Sequence, residues 1–231
     1  MRHSLHIGVS VVSGFWYGTR YSKLLAPCID AGELARVAAG RGYSAVTLVD
    51  VDATTDRVVD ELGRAARSLK EGDTFLLTYN GHGTGGRSRA GFQQSWCLYN
   101  RPLWRGGDDG LDAALARFAR GVRIIVIAGC CHAGGEDVGR TNIRAEIVRI
   151  AACSGTRPSP DANRQGVPSP FIREILDAAR TSGTMEQFFA RLRPFNAEIV
   201  PQLEISPNCS RAFLDAGPFG AMSGAANQIA G

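Results

Sequence analysis

The sequence predicts an α/β domain, a mostly parallel β-sheet with helices packed on its faces. Three observations carry that expectation. Two apolar runs, Thr74–Tyr79 (TFLLTY) and Val122–Ala128 (VRIIVIA), lack the polar alternation of a half-exposed strand and read as strands buried on both faces. Segments with helical apolar spacing separate strand-like runs along the chain, which is the order of a parallel sheet. Each buried run also ends in glycine beside reactive side chains, Asn80-Gly81-His82-Gly83 after the first and Gly129-Cys130-Cys131-His132 after the second. The C-terminal ends of central strands are where open α/β sheets place their ligands.

A chain of 231 residues with 44% hydrophobic content buries a full core, and one domain is the economical reading. The formal net charge is +4 with acids and bases interspersed, so neither a nucleic acid nor a membrane surface is expected as partner. No apolar run approaches the ~18 residues of a membrane span. The six cysteines (28, 97, 130, 131, 153 and 209) are too scattered for a disulfide framework in a chain this long, which favours a reducing, cytoplasmic compartment. Adjacent Cys130, Cys131 and His132 lack the C-x2-C type spacing of zinc sites.

In chain order, Ser4–Val12 alternates and is β-branched, which fits a first strand better than a leader peptide. The aromatic connector Gly14–Gly18 (GFWYG) reads as loop. Pro27–Arg41 is helical, with Ile29, Leu34, Val37 and Ala38 at helical spacing and Pro27 near the start. Tyr43–Val49 is a second strand, and Thr54 or Thr55 caps a helix running to about Leu69. Gly83–Ser95, rich in Gly and Arg, reads as a polar loop, and Trp96–Tyr99 as a short accessory strand or hairpin arm. Asp108–Ala119 is an amphipathic helix with Leu111, Ala114, Leu115 and Phe118 inward. Beyond the second buried run, Ile147–Cys153 is a strand, Ser154–Pro168 a proline-containing loop, and Phe171–Ala179 and Met185–Leu192 are helices. Ile199–Ile205 is expected at a sheet edge, because Pro201 cannot donate to a central ladder. Gly217–Gly231 has the small-residue composition of a flexible tail.

Two blocks carry a family resemblance. Tyr79-Asn80-Gly81-His82-Gly83 resembles the Y-S-G-H-G block of metacaspases and bacterial orthocaspases, and Gly129-Cys130-Cys131-His132-Ala133-Gly134 resembles their D-[SC]-C-H-S-G block. The likeness runs from Cys28-Ile29-Asp30-Ala31 through Trp96-Cys97-Leu98-Tyr99 to Ile150–Cys153 and Pro170-Phe171-Ile172. About fifty residues separate His82 from Cys131, as they separate the His and Cys of caspases. The shorter caspase signature Q-A-C-[RQG]-G is not present.

The resemblance implies a caspase-like, three-layer α/β/α sandwich with a central sheet of about six strands. It implies one domain over 1–216, large-subunit-like to about 135 and small-subunit-like from about 145, with the tail 217–231 beyond. The implied activity is that of a cysteine endopeptidase with a Cys131–His82 dyad, its oxyanion held by backbone N–H groups of Gly83 and Cys131. It would act as a monomer on a peptide or protein substrate, with no required cofactor. Aligned on C-H-[SA]-G, Cys131 takes the nucleophile position and Cys130 that of a small packing residue. A free thiol titrates near ~8.5 and needs a base or an electropositive setting at neutral pH, which His82 supplies.

Three positions bear on specificity. The acid that opens the family's Cys block and helps bind a basic substrate side chain is Gly129 here, and the pocket Ser before the catalytic His is Asn80. Asp30 matches the remaining pocket acid, although a helix-start carboxylate favoured by the dipole would read the same way. A pocket of Asp30, Asn80 and Gly129 is expected to keep a weakened preference for Arg, ahead of Lys, before the scissile bond. Many metacaspases bind Ca2+ through clustered acids. Asp108, Asp109, Glu136 and Asp137 are the candidates, while Asn100 and Gly110 replace further acids of relatives, so little calcium dependence is expected. The alternative reading, from the altered pocket, is a catalytically inactive caspase-like module that binds a peptide or partner.

Overall fold

The computed structural model describes residues 1–88, 91–130, 142–152, 161, 164–192 and 200–219. Period-two burial builds its sheet. In β3 (Thr74–Asn80), Phe75, Leu77 and Tyr79 serve one core while Leu76 serves the other, and in β7 (Arg123–Gly129) Ile124, Val126 and Ala128 oppose Ile125 and Ile127. Strands buried on both faces need helices on both, and the chain supplies them. With β1 (Arg2–Gly8), β2 (Ser44–Val49), β8 (Glu146–Ala151) and β9 (Gln202–Ile205), they form a six-stranded sheet in the order β2-β1-β3-β7-β8-β9. Every pair is parallel except β8–β9, and β9 is the edge strand that Pro201 anticipates.

One face carries α3 (Thr55–Ser68), α4 (Leu111–Leu115) and a small antiparallel sheet of β4 (Gly83–Ser88), β5 (Gly91–Cys97) and β6 (Pro102–Trp104). The other carries α2 (Pro27–Gly40), α5 (Pro170–Thr181) and α6 (Met185–Arg191). A one-turn helix, α1 (Gly14–Tyr17), follows β1, and α7 (Arg211–Leu214) follows β9. The architecture is the α/β/α sandwich of the caspase-like fold.

Local chemistry explains the helix starts. Thr54 Oγ1 accepts from the Arg57 N–H at 3.3 Å, capping α3. The segment leading into α2 has no side-chain cap of its own, and the Asp161 carboxylate accepts from Leu25 N at 2.5 Å and Ala26 N at 3.0 Å instead. A buried ionic network ties the two sheets and the edge strand together. Asp112 on α4 accepts from Arg149 on β8 at 2.5 Å and from Arg105 at 3.4 Å, and Arg105 also forks onto Glu204 of β9 at 2.8 and 2.9 Å.

Several boundaries differ from the sequence expectation. Gly83–Ser95 is a hairpin arm of the small sheet, because its backbone pairs Gly83–Ser88 with Gly91–Trp96 without the apolar alternation that marks a strand in sequence. The Asp108–Ala119 helix shrinks to Leu111–Leu115, with Asp108 and Asp109 on an exposed turn that closes through Gly110 N to Gly107 O, although Leu111, Ala114, Leu115 and Phe118 are buried. The Gly14–Gly18 connector is the short helix α1, and it stays outside the core as a loop would, with Phe15 and Trp16 exposed. The tail begins later than its composition suggests, since Phe219 is buried against Phe188. No helix among the described residues is long and apolar enough to cross a membrane.

Candidate active site

β3 and β7 are parallel neighbours with Asn80 opposite Gly129, so the two glycine-rich ends meet at one edge of the sheet. On the other side of β3, Asn80 is opposite Gly8 of β1. Cys130 follows β7 and is buried in the same core cluster as Trp96 and Tyr79. Cys131, His132, Glu136 and Asp137 lie outside the described residues.

His82 is held from three directions. Its carbonyl accepts from Tyr79 Oη at 2.7 Å and from the Cys97 N–H at 2.9 Å, and the same tyrosine hydroxyl lies 3.0 Å from the Cys97 carbonyl. Tyr79 is wholly buried and stacked on Trp96 with centroids 4.7 Å apart, so this anchor belongs to the core. Gly81 lets the turn close over it, because a Cβ there would sit 2.7 Å from Tyr79 Oη. The imidazole itself has two contacts. Nε2 lies 2.7 Å from the Ser22 carbonyl oxygen, and the Tyr21 ring packs on it at 4.8 Å, braced in turn by Tyr17 at 5.5 Å. A carbonyl can only accept, so Nε2 carries a proton and Nδ1 is the nitrogen at which a proton can be gained or lost. That leaves Nδ1 as the basic nitrogen. Gly83, which opens β4, is paired with Trp96 of β5.

The specificity candidates gather on the α2–α5 face. Asp30, in the first turn of α2, is buried and accepts from the Ser169 N–H at 2.8 Å. Burial pushes its carboxyl up to about 7 against the pull of the Ser169 hydrogen bond, with nearby Asp161 adding to the rise and Arg173 opposing it. Asn80 is 1% exposed, and neither Oδ1 nor Nδ2 has a partner among the described residues. Ser169 Oγ is buried beside the Asp30 carboxylate and helps the Ser169 N–H oppose the rise. A Cβ at Gly129 would stand 2.4 Å from Asn80 Oδ1, so the amide would have to shift, and 3.5 Å from the Phe171 ring, an ordinary contact.

Of the calcium candidates, Asp108 and Asp109 are exposed on their turn, and among the described residues no three His, Cys, Asp or Glu side chains converge on a common point. Asn100 is occupied, accepting from the Thr55 N–H at 2.9 Å. Sequence reasoning missed Tyr21, Ser22 and Ser169. The crowding of Phe15, Trp16, Tyr17 and Tyr21 in a polar connector was the one available signal for the first two, and Ser169 had none.

No protein-family model matches the chain. Metacaspase-2 and Metacaspase-3 of Trypanosoma brucei brucei are each 28% identical to it over 198 residues, which cover 68% of this chain and 55% and 54% of theirs. The chain spans about half the length of these curated relatives. A crystal structure of a protein from Geobacter sulfurreducens matches with a TM-score of 0.82 and 26% identity, covering 95% of this chain and 98% of that one. Sheet order, the meeting of the β3 and β7 ends at one edge, and these likenesses together support a caspase-like relationship for the chain.

Proposed function

We propose that the chain is a cysteine endopeptidase of metacaspase type, with Cys131 as nucleophile and His82 as its base and acid. The observation that supports this best is the tautomer of His82. Its Nε2–H is committed to the Ser22 carbonyl, which leaves Nδ1 to take a proton. The Cys131 thiolate attacks the carbonyl carbon of the scissile bond, and the thiol proton passes to Nδ1. The tetrahedral oxyanion is held by the N–H groups of Gly83 and Cys131. Collapse breaks the C–N bond, the imidazolium gives its proton to the leaving amine, and a thioester remains. Water, deprotonated by the same nitrogen, hydrolyses that thioester and restores the thiol.

Substrate would be cut after Arg and less well after Lys, with Asp30 supplying the charge and Asn80 a neutral hydrogen-bonding group. No calcium requirement is proposed, because Asp108 and Asp109 face solvent and Asn100 is already used by the α3 start. Labelling with an electrophilic Arg peptide tests the reading. Adduct on Cys131, abolished by prior alkylation and indifferent to chelator, supports it. A chain that binds the peptide without reacting is instead the inactive caspase-like module.

A further inference from the structure

The N-terminal end of the sheet carries a cleft of about 500 Å³, within the ~300–1,000 Å³ range of small-ligand sites. It lies where β1, β3 and β7 begin, whereas the candidate active site lies where the same strands end. Each strand is seven residues long, so roughly 20 Å of sheet separates the two places. Strand register builds the cleft. Arg2 of β1 is opposite Thr74 of β3, and Thr74 is opposite Arg123 of β7, so the three share one row and one face of the sheet. Arg41, just past α2, lines the cleft beside them. Three arginines therefore border one concavity, and no acid does among the described residues. Asp73, next to Thr74, is engaged by the Met1 ammonium and by the Lys70 N–H at 3.0 Å.

The fold itself gives two of these arginines a reason. Arg2 donates to the Arg41 carbonyl at 2.8 Å and lies over the Tyr43 ring at 5.9 Å, and Arg41 donates to the Ala179 carbonyl at 3.3 Å. Those carbonyls lie at the ends of α2 and α5, where cations offset the helix dipole. Arg123 has no such reason. Its guanidinium lies over the Phe213 ring at 5.9 Å, and its buried Nε–H has no acceptor among the described residues. A desolvated donor on a cation is costly to leave unsatisfied, and an anion in the cleft would satisfy it.

We propose that this cleft binds a small polyphosphate, the phosphate chain of a nucleotide or of an inorganic polyphosphate, with Arg123 as its principal contact and Arg2 and Arg41 beside it. Guanidinium groups meet phosphate oxygens through paired, parallel hydrogen bonds. Arg2 and Arg123 stand two strands apart, roughly 10 Å between Cα atoms, a span that suits a chain of phosphates better than a single ion. A nucleic acid needs a track of cations along its backbone, whereas the charge here is confined to one concavity. The proposal does not rest on the peptidase reading, because none of the three arginines lies at the catalytic edge.

The test uses the purified chain and three metal-free probes, inorganic phosphate, tripolyphosphate and ATP, read by calorimetry and thermal shift. Tripolyphosphate is expected to bind one per chain, at least about tenfold more tightly than phosphate, and to raise the melting temperature. Its affinity should fall as salt rises. Arg123→Gln should weaken it by at least about tenfold, the scale of one lost hydrogen bond to a charged group. Arg123→Lys keeps the charge without the planar fork and should weaken it less. Arg41→Gln should also weaken it, and decides the matter if Arg123→Gln does not fold. Arg64→Gln is the control, since Arg64 pairs with Glu61 on α3, across the sheet, and should change nothing. ATP as tight as tripolyphosphate assigns the site to the phosphate chain, and tighter ATP adds the nucleoside to it; both outcomes support the proposal. No binding, several sites per chain, phosphate as tight as tripolyphosphate, or an affinity unchanged in Arg123→Gln (or, failing that, in Arg41→Gln) would each overturn it. So would a single-stranded oligonucleotide that displaces tripolyphosphate and binds more tightly than either probe. None of these readouts needs peptide hydrolysis, so failure here leaves the peptidase reading standing.

Discussion

His82 and Asn80 are separated by Gly81 alone at the end of β3, yet their surroundings are opposites. Around His82 the carbonyl is engaged by Tyr79 and Cys97 and Nε2 by the Ser22 carbonyl, with Tyr21 against the ring and Nδ1 left over. Around Asn80 the amide is buried with no partner among the described residues, and the Asp30 carboxylate beside Ser169 is buried and desolvated. A satisfied group is held in one orientation, which proton transfer at a fixed nitrogen requires. An unsatisfied group costs stability until something arrives to pair with it, which suits a site whose partner is a substrate. One strand end thus carries a positioned region and a waiting region side by side. On the proposed peptidase reading, the difference teaches that catalysis and recognition would draw on opposite states of hydrogen-bond completion.

The sharpest way to break the positioned half is to remove its chemistry. Cys131→Ala and His82→Ala are each expected to lower hydrolysis of an Arg peptide by at least ~1,000-fold, as losing either member of a nucleophile–base pair does. Cys130→Ala should keep most of the activity, since Cys130 packs in the core. A dead Cys130→Ala beside an active Cys131→Ala would reverse the assignment.

On the α4 face of the sheet, the Asp112 network provides a control for what completion is worth. Asp112→Ala removes the buried carboxylate that Arg105 and Arg149 share, and should cost about 3–5 kcal/mol in urea denaturation. A loss under ~1 kcal/mol would mean that water replaces the carboxylate readily.

The waiting half should respond in the opposite direction. Because Asp30 is raised to about 7, the folded state holds its proton more tightly than the unfolded state does. That contribution is fully present below about pH 4 and is lost as pH rises through 7. Asp30→Asn has no such loss and can still accept from Ser169 N. It should therefore gain on wild type between about pH 4 and 7, reaching an advantage on the order of 4 kcal/mol at pH 8. His6 acts with the other sign. It is buried and lowered to about 3 by desolvation, so it removes stability as pH falls below about 6.5. It does so equally in both chains, and the difference between them isolates Asp30. A gap that stays constant with pH would show that Asp30 is ionised in the fold without penalty.

The smallest expected effect returns to His82. Tyr79→Phe removes one hydroxyl from a carbonyl that still accepts from Cys97, so stability should fall by only about 1 kcal/mol. If the hydroxyl fixes the turn, kcat should drop several-fold with little change in KM. Loss confined to KM would place Tyr79 on the recognition side of the comparison.

The sequence alone determined the strands buried on both faces, their parallel order and the convergence of the two glycine-rich blocks, because burial on two faces leaves uninterrupted apolar runs such as Ile124–Ala128. Edge placement of β9 was legible from Pro201 for an equally local reason. The hairpin of β4 and β5 was not, since its glycines and arginines are paired through backbone groups that every residue shares. Nor was the partner of Nε2, a carbonyl at Ser22 sixty residues away, because carbonyls carry no sequence identity. The exchange of an acid at 129 for glycine and of serine at 80 for asparagine could be read in the chain as two separate departures. Only the register of β3 against β7 places Asn80 beside Gly129, and only packing shows that the amide fills the space a side chain at 129 would take. Side-chain volume is a property of one residue, whereas the room left for it belongs to its neighbours in space, and the tertiary structure alone sets those.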